Sequence, residues 1–229
     1  MSTLTGFFGG GTFPIAPIIL TSGASWTPPV DMKAYVFVVG GGSGGNGANS
    51  GSGDGRGGKA GATAVSLLDL SSAVAYNTTF GIGGSGQTNT SGQDGTDTVF
   101  SGTGIVTMTG SGGTNAGQAA VAATGGNILN TTPHESTYGS SSGQAGGGQA
   151  FALWENPPLL ETRVSGDIYA TPIIGARGGD GGYISSGSVG GSAGNLGCGG
   201  GGARTGNSNS GTGGRGGNGL IIIIPVSFS

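Results

Sequence analysis

The stretch AYVFVVGGGSGGNG, residues 34–47, changes character in one step. Its first six residues are a continuous apolar run, which predicts a β-strand buried on both faces. From Gly41 the run GGSGGNG keeps a beat of three, with Ser43 and Asn46 in one phase and glycine in the other two. GGRGGNG at 213–219 repeats the beat. The longest example is GARGGDGGYISSGSVGGSAGNLGCGG at 175–200. There one phase never carries glycine and holds Arg177, Asp180, Tyr183, Ser186, Val189, Ser192, Asn195 and Cys198. The other two phases are almost entirely Gly, Ala and Ser.

A period of three is that of polyproline II, which makes no internal hydrogen bonds and turns its amides outward. A segment with one solvent-facing phase and two phases against neighbouring backbones must strip those two of side chains. We therefore expect glycine-rich polyproline II (polyglycine II) segments bonded side by side, so that amides and carbonyls find partners. Collagen is a poor fit, because the third-position glycine lapses at Ser185 and Ser188 and the 175–200 stretch lacks proline. Flexible surface loops are the alternative, and the phase kept through 175–200 weighs against them.

Composition narrows the class. Of 229 residues, 58 are glycine, about a quarter against a usual 7% or so. Ordering a glycine in a helix or strand interior costs roughly 0.5–1 kcal/mol relative to alanine, so the fold needs a compensating term. Disorder is disfavoured, because charge is low and apolar runs such as AYVFVV and LIIII (220–224) are clear. The net charge is −3, with seven Lys and Arg scattered along the chain. No basic patch results, which argues against nucleic-acid binding. The apolar runs fall short of the roughly 18 residues of a membrane span, so no membrane insertion is expected. Cys198 is the single cysteine and forms no disulfide within the chain. The N-terminus does not read as a secretory signal: no Lys or Arg precedes its apolar part, and Pro14 and Pro17 interrupt it. We expect synthesis in a host cytoplasm and release by another route, such as lysis.

Two domains of unequal character are expected, an extended arm at 1–24 and a glycine-rich β domain at 25–229. The arm holds Phe7, Phe8, Phe13, Ile15, Ile18 and Ile19. It reads either as a docking segment for a partner or as an edge strand over the chain's own core. Further strands are expected at 62–68, 77–83, 97–102, 104–110 and 219–228. Pro225 in the last suggests an edge or an exit from the sheet. LDLSSAVA (68–75) has room for a short turn, and no segment has convincing helical period. Residues 127–174, richer in aromatics and charge, read as an excursion from the main sheet.

Catalytic chemistry is thin. His134 is the only histidine, Cys198 sits in a bare glycine run, and no G-x-S-x-G strand–turn–helix context occurs. A zinc site lacks ligands. GQDGTDTVF (92–100) fits the calcium-binding nonapeptide except at Gln93, but such motifs work in tandem stacks and only one copy is present. A turn through Asp94, Gly95 and Asp97 before a strand explains it equally well. No cofactor is expected.

The sequence resembles the glycine-rich domain of tailed-phage fibre and other virion proteins. SWTPPVDMKAYVFVVGGGSGG (25–45), FGIGGSG (80–86), GQDGTDTVF (92–100) and GLIIIIP (219–225) carry the resemblance, in the family's order. It implies an all-β, β-sandwich-like core with glycine-rich loops on a virion surface. The expected function is that of a non-enzymatic phage structural protein in a tail fibre or surface appendage, bound to other virion proteins. A homo-oligomer is expected, with a trimer as one form. Alternatives are a capsid decoration or head-appendage protein, and a fibre-tip adhesin for a host cell-surface receptor. The resemblance implies that exposed loops touch the host, with Tyr138, Trp154, Tyr169, Arg177 and Tyr183 as candidates. Aromatics and Arg are favoured at contact hot spots. Trp154 and Phe151 filling a small satellite core is the competing reading.

Overall fold

A computed structural model describes residues 17–47, 56–88, 90–115, 118–133, 197–200 and 211–228, with the backbone of four short strands between 161 and 205. The described elements are all strands, paired antiparallel. They are β1 (Ile18–Leu20), β2 (Ser25–Trp26), β3 (Met32–Val39), β4 (Thr63–Leu70), β5 (Tyr76–Thr79), β6 (Thr98–Ser101), β7 (Met108–Gly110), β8 (Leu129–Asn130), β9 (Glu161–Val164), β10 (Asp167–Ala170), β11 (Ser188–Val189), β12 (Arg204–Thr205) and β13 (Leu220–Phe228). One sheet has the order β1-β13-β3-β4-β8 and the other β2-β5-β6-β7. β9/β10 and β11/β12 are separate two-stranded pairs.

The two sheets form a sandwich. Side chains alternate along a strand, so Met32, Ala34, Val36 and Val38 of β3 face the interior with Tyr76, Phe100, Met108, Ile221 and Ile223. The Tyr76 and Phe100 rings stack with centroids 5.3 Å apart. Phe37 and Val39 turn to the opposite face, where they are buried with Ala60, Val65, Cys198, Leu220 and Ile222. The expectation of a strand buried on both faces holds for 36–39, whereas Tyr35 on the second face is exposed.

At one end of the sandwich the strands run on as glycine segments: β3 leads into 40–47, 56–62 into β4, β5 into 80–87, 90–97 into β6, β7 into 111–115 and 211–219 into β13. Successive amides of 40–47 turn to three neighbours in rotation. Gly40, Ser43 and Asn46 donate to the carbonyls of Ala62, Lys59 and Arg56; Gly41, Gly44 and Gly47 to those of Thr96, Gln93 and Thr90; Gly42 and Gly45 to those of Gly217 and Gly214, all at 2.8–3.0 Å. The carbonyls of Gly41, Gly42, Ser43 and Gly45 accept from Gly113, Gly84, Gly200 and Gln87, which lie on three other segments. The central segment thus has six described neighbours, and these are bonded to one another in a closed ring. This is the threefold bonding that polyproline II geometry imposes on adjoining ribbons.

Close approach dictates the glycines. A Cβ on Gly42 would overlap the Cys198 carbonyl, and one on Gly216 would overlap that of Gly42. The outward phase of the ring carries side chains instead: Thr212, Arg215 and Asn218 are exposed, with every residue between them buried, and Ile82 and Ser85 are exposed in the same rhythm. Two expectations need correcting. The non-glycine phase of 41–47 is not a solvent-facing one, because neighbours surround the central segment: Asn46, at its distal end, is half-buried. Ser43 is fully buried; its hydroxyl donates to the Thr114 carbonyl and accepts from Lys59 N–H. Cys198 is likewise buried in the second apolar cluster. The rest of the 175–200 stretch lies outside the described residues, apart from the backbone of β11 and residues 197–200.

Chain segments close both open sides of the sandwich. Residues 18–26 pass from β1, on the edge of the first sheet, to β2, on the edge of the second. On the other side Thr124 bridges Thr109 of β7 while β8 pairs with β4, and Ala123 N–H donates to the Thr131 carbonyl. Pro225 is not on an edge strand as expected, since β13 lies between β1 and β3. β1 reaches only to Ile223, however, and a register irregularity follows Pro225, so the missing N–H breaks no bond on the β1 side. The expected turn near 71–74 is present: Asp31 accepts from the Ser72 N–H at 2.6 Å and from the Ser72 and Ser71 hydroxyls.

Two outcomes follow. Gly42→Ala should destabilise the protein by about 3 kcal/mol or prevent folding, because rigid backbone must move. Ser85→Ala, on the outward phase, should stay within about 0.5 kcal/mol; denaturant titration compares them. The Ser72 amide, then the Ser72 and Ser71 hydroxyls, hold the Asp31 carboxyl below its ordinary value. A depressed folded-state pKa contributes stability that is present above about pH 4 and lost as pH falls through the folded value. An NMR titration should place the Asp31 midpoint below that of an unstructured aspartate.

Candidate functional site

The hydrogen-bond register brings the connections between glycine segments to one end of the bundle, away from the sandwich. Asn46 bonds to Arg56 and Gly47 to Thr90, so the ends of the connections at 47–56 and 87–90 stand side by side. Thr88 bridges Thr212, where the last segment begins. The Asn115–Gln118 connection is closed by Gln118 N–H to the Asn115 carbonyl. This distal end, together with the exposed flank of 81–97 and 211–219, is the candidate contact surface.

Most polar side chains near that flank are engaged in capping. A ring segment has amides that point away from its neighbours, and side chains fold back onto them. Thr96 Oγ1 accepts from Ile82 N–H at 2.8 Å, Asn218 Oδ1 from Gly83 N–H at 3.0 Å, and Thr98 Oγ1 from Gly81 N–H at 2.9 Å. Asp97 Oδ1 accepts from Gly112 N–H at 2.8 Å and Asp94 Oδ1 from Asn115 N–H at 2.7 Å. Asn46 Oδ1 receives the Gly92 amide. The calcium-like signature at 92–100 is thereby accounted for, since each carboxylate caps the adjoining segment 110–115. Among the described residues no group of three or more His, Cys, Asp or Glu stands close enough to hold a metal ion.

The contact residues expected from the sequence fall almost entirely outside the described residues. Tyr138, Trp154, Arg177 and Tyr183 lie outside the described residues, as do His134, Phe7, Phe8, Phe13 and Ile15. Tyr169 is placed by its backbone alone, on β10 opposite Thr162. Ile18 and Ile19 form part of β1, where Ile18 packs against the sandwich interior and Ile19 is exposed. Lys59 is the residue that the sequence reading passed over. It is buried, and its Nζ donates to the carbonyls of Asn115 at 3.4 Å and Gln118 at 2.5 Å. The available signal was a lysine three residues after Arg56 inside the otherwise side-chain-poor run GRGGKAGA at 55–62.

Asp97→Ala should lower stability by about 1.5–3 kcal/mol, the range for a hydrogen bond to a charged group. Added calcium or chelator should leave the unfolding midpoint of the unaltered protein where it was; thermal denaturation reads both.

The family model described as a glycine-rich domain matches residues 20–224. No curated protein matches the chain.

Proposed function

The chain belongs to the glycine-rich domain family, and on that premise we propose that it is a non-enzymatic structural protein of a phage virion, in a tail fibre or surface appendage. The observation that carries this reading is the bundle itself. Seven described segments, bonded backbone to backbone, extend from one end of a sandwich and present their connections at the far end. Such an object suits projection and contact, and among the described residues the polar side chains of its flank cap backbone amides where catalysis would need convergent, unengaged groups.

In this proposal residues 1–16 dock to another virion protein. Residues 18–20 are assigned otherwise, because β1 belongs to the domain's own sheet. The finer alternatives remain a host-binding adhesin that uses the distal end and a capsid decoration protein. The exposed residues at the described ends of the distal connections, Arg56, Thr88, Thr90 and Gln118, favour the adhesin of the two.

A chain lacking residues 2–16 should keep the circular dichroism and thermal midpoint of the full chain yet fail to join particles. Normal incorporation of the truncated chain would refute the docking assignment. For the adhesin reading, purified protein should coat susceptible cells and reduce infection; protein that leaves adsorption unchanged counts against it.

A further inference from the structure

The ring is not uniform. Between 211–219 and 81–87 the amides of Gly213, Gly216 and Gly219 donate to the carbonyls of Gln87, Gly84 and Gly81. Segments 56–62 and 197–200 are joined through Gly58 and Gly61, and 90–97 is joined to 81–87 through Gln93 and Thr96. Segment 110–115 differs. Among the described residues beyond β7 it has one direct backbone bond to each ring neighbour, Ala62 N–H to the Ser111 carbonyl and Gly95 N–H to the Gly113 carbonyl. Gly113 N–H adds one to the central Gly41 carbonyl.

Side chains supply the remaining attachment, and charge of opposite sign lies on the two flanks. On one flank Asp97 and Asp94 accept the amides of Gly112 and Asn115. On the other, Lys59 Nζ donates to the carbonyls of Asn115 and Gln118. Beside it the Ser43 hydroxyl stands between the two segments, taking Lys59 N–H and giving its own proton to the Thr114 carbonyl. Among the described residues the buried hydroxyl of Thr114 on this seam has no hydrogen-bond partner. Asn115 is thus gripped at its amide by a carboxylate and at its carbonyl by an ammonium.

We infer that residues 112–115 form a latched strap, held to the bundle by Lys59, Asp94 and Asp97, which opens as a unit while the other described segments stay closed. Charge-assisted bonds are stronger than neutral ones, so the latch holds in the resting protein. It depends on these three charged side chains and the Ser43 hydroxyl, whereas every other described seam of the ring is joined by repeated backbone bonds. The strap ends in the Asn115–Gln118 connection, so the latch sets the shape of part of the distal end.

Residue-resolved amide exchange on the full chain tests this. In Lys59→Met, the amides of Gly112, Gly113 and Asn115 should exchange at least about tenfold faster. The amides of Gly44, Gly84 and Gly216 should keep their rates. Asp94→Asn, which keeps the acceptor and removes the charge, should accelerate the same amides by a smaller factor. Equal acceleration across all segments in Lys59→Met, or no acceleration at 112–115, would overturn the inference. If Lys59→Met does not fold, Asp94→Asn decides on the same two outcomes.

Discussion

The hydrogen bond between backbones that carry no side chains on their facing surfaces is the interaction on which this structure depends. In segment 40–47 all eight amides are donated to neighbouring carbonyls. An amide–carbonyl bond contributes about 1 kcal/mol net, and an ordered glycine loses roughly 0.5–1 kcal/mol relative to alanine. The two quantities match residue by residue. A glycine segment alone has the loss without the bond, so the segments are stable only as neighbours. The sandwich supplies the neighbours: its antiparallel strands deliver six of the seven described segments already aligned. Apolar burial in the sandwich and backbone pairing in the bundle are therefore successive parts of one cooperative fold.

A lattice of ribbons has no inherent limit, and an open lattice edge invites addition of further chains, as an open sheet edge does. Two features stop it here. The outward phase of the exposed ring segments carries Thr212, Arg215, Asn218 and Ser85, whose side chains forbid the approach that a further ribbon requires. Outward amides are satisfied within the chain, as Thr96, Asn218, Asp94 and Asp97 show. The same positions that keep the three-residue beat thus define where the lattice ends.

Much of this could be read in the sequence. Continuous apolar and β-branched runs located β3, β4, β6 and β13, and the three-residue beat foretold ribbons with two bare faces. What the beat could not disclose was which ribbon lies in the middle. GGSGGNG and GGRGGNG differ by one residue type, yet Ser43 is interior and Arg215 is exposed. The distinction arises from how many neighbours surround each ribbon, a property of the assembly. Pro225 shows the same dependence on neighbours: β13 is an interior strand of its sheet, but β1 reaches only to Ile223, so on that side the proline stands at a local edge. The candidate contact surface was least legible. Aromatics and arginine mark contacts statistically, whereas the distal end is defined by register alone. Lys59 carried no motif, because the carbonyls of Asn115 and Gln118 that it binds are main-chain groups that any sequence offers.

A fold joined through main-chain groups places unusual demands on its sequence. In an apolar core each side chain must fit its neighbours, so change at one position is felt at others. In the bundle the inward phases accept little besides glycine, whereas outward positions such as Ser85 and Arg215 are exposed, and the Arg215 side chain bonds to that of Asn218 within its own segment. Sequence at the distal end can therefore follow the demands of a partner while the bundle beneath it stays the same. Segment 110–115 is where that separation is incomplete. Its attachment runs through Lys59, Asp94 and Asp97, so a change of charge there alters both the bundle's seam and the connection that the segment carries.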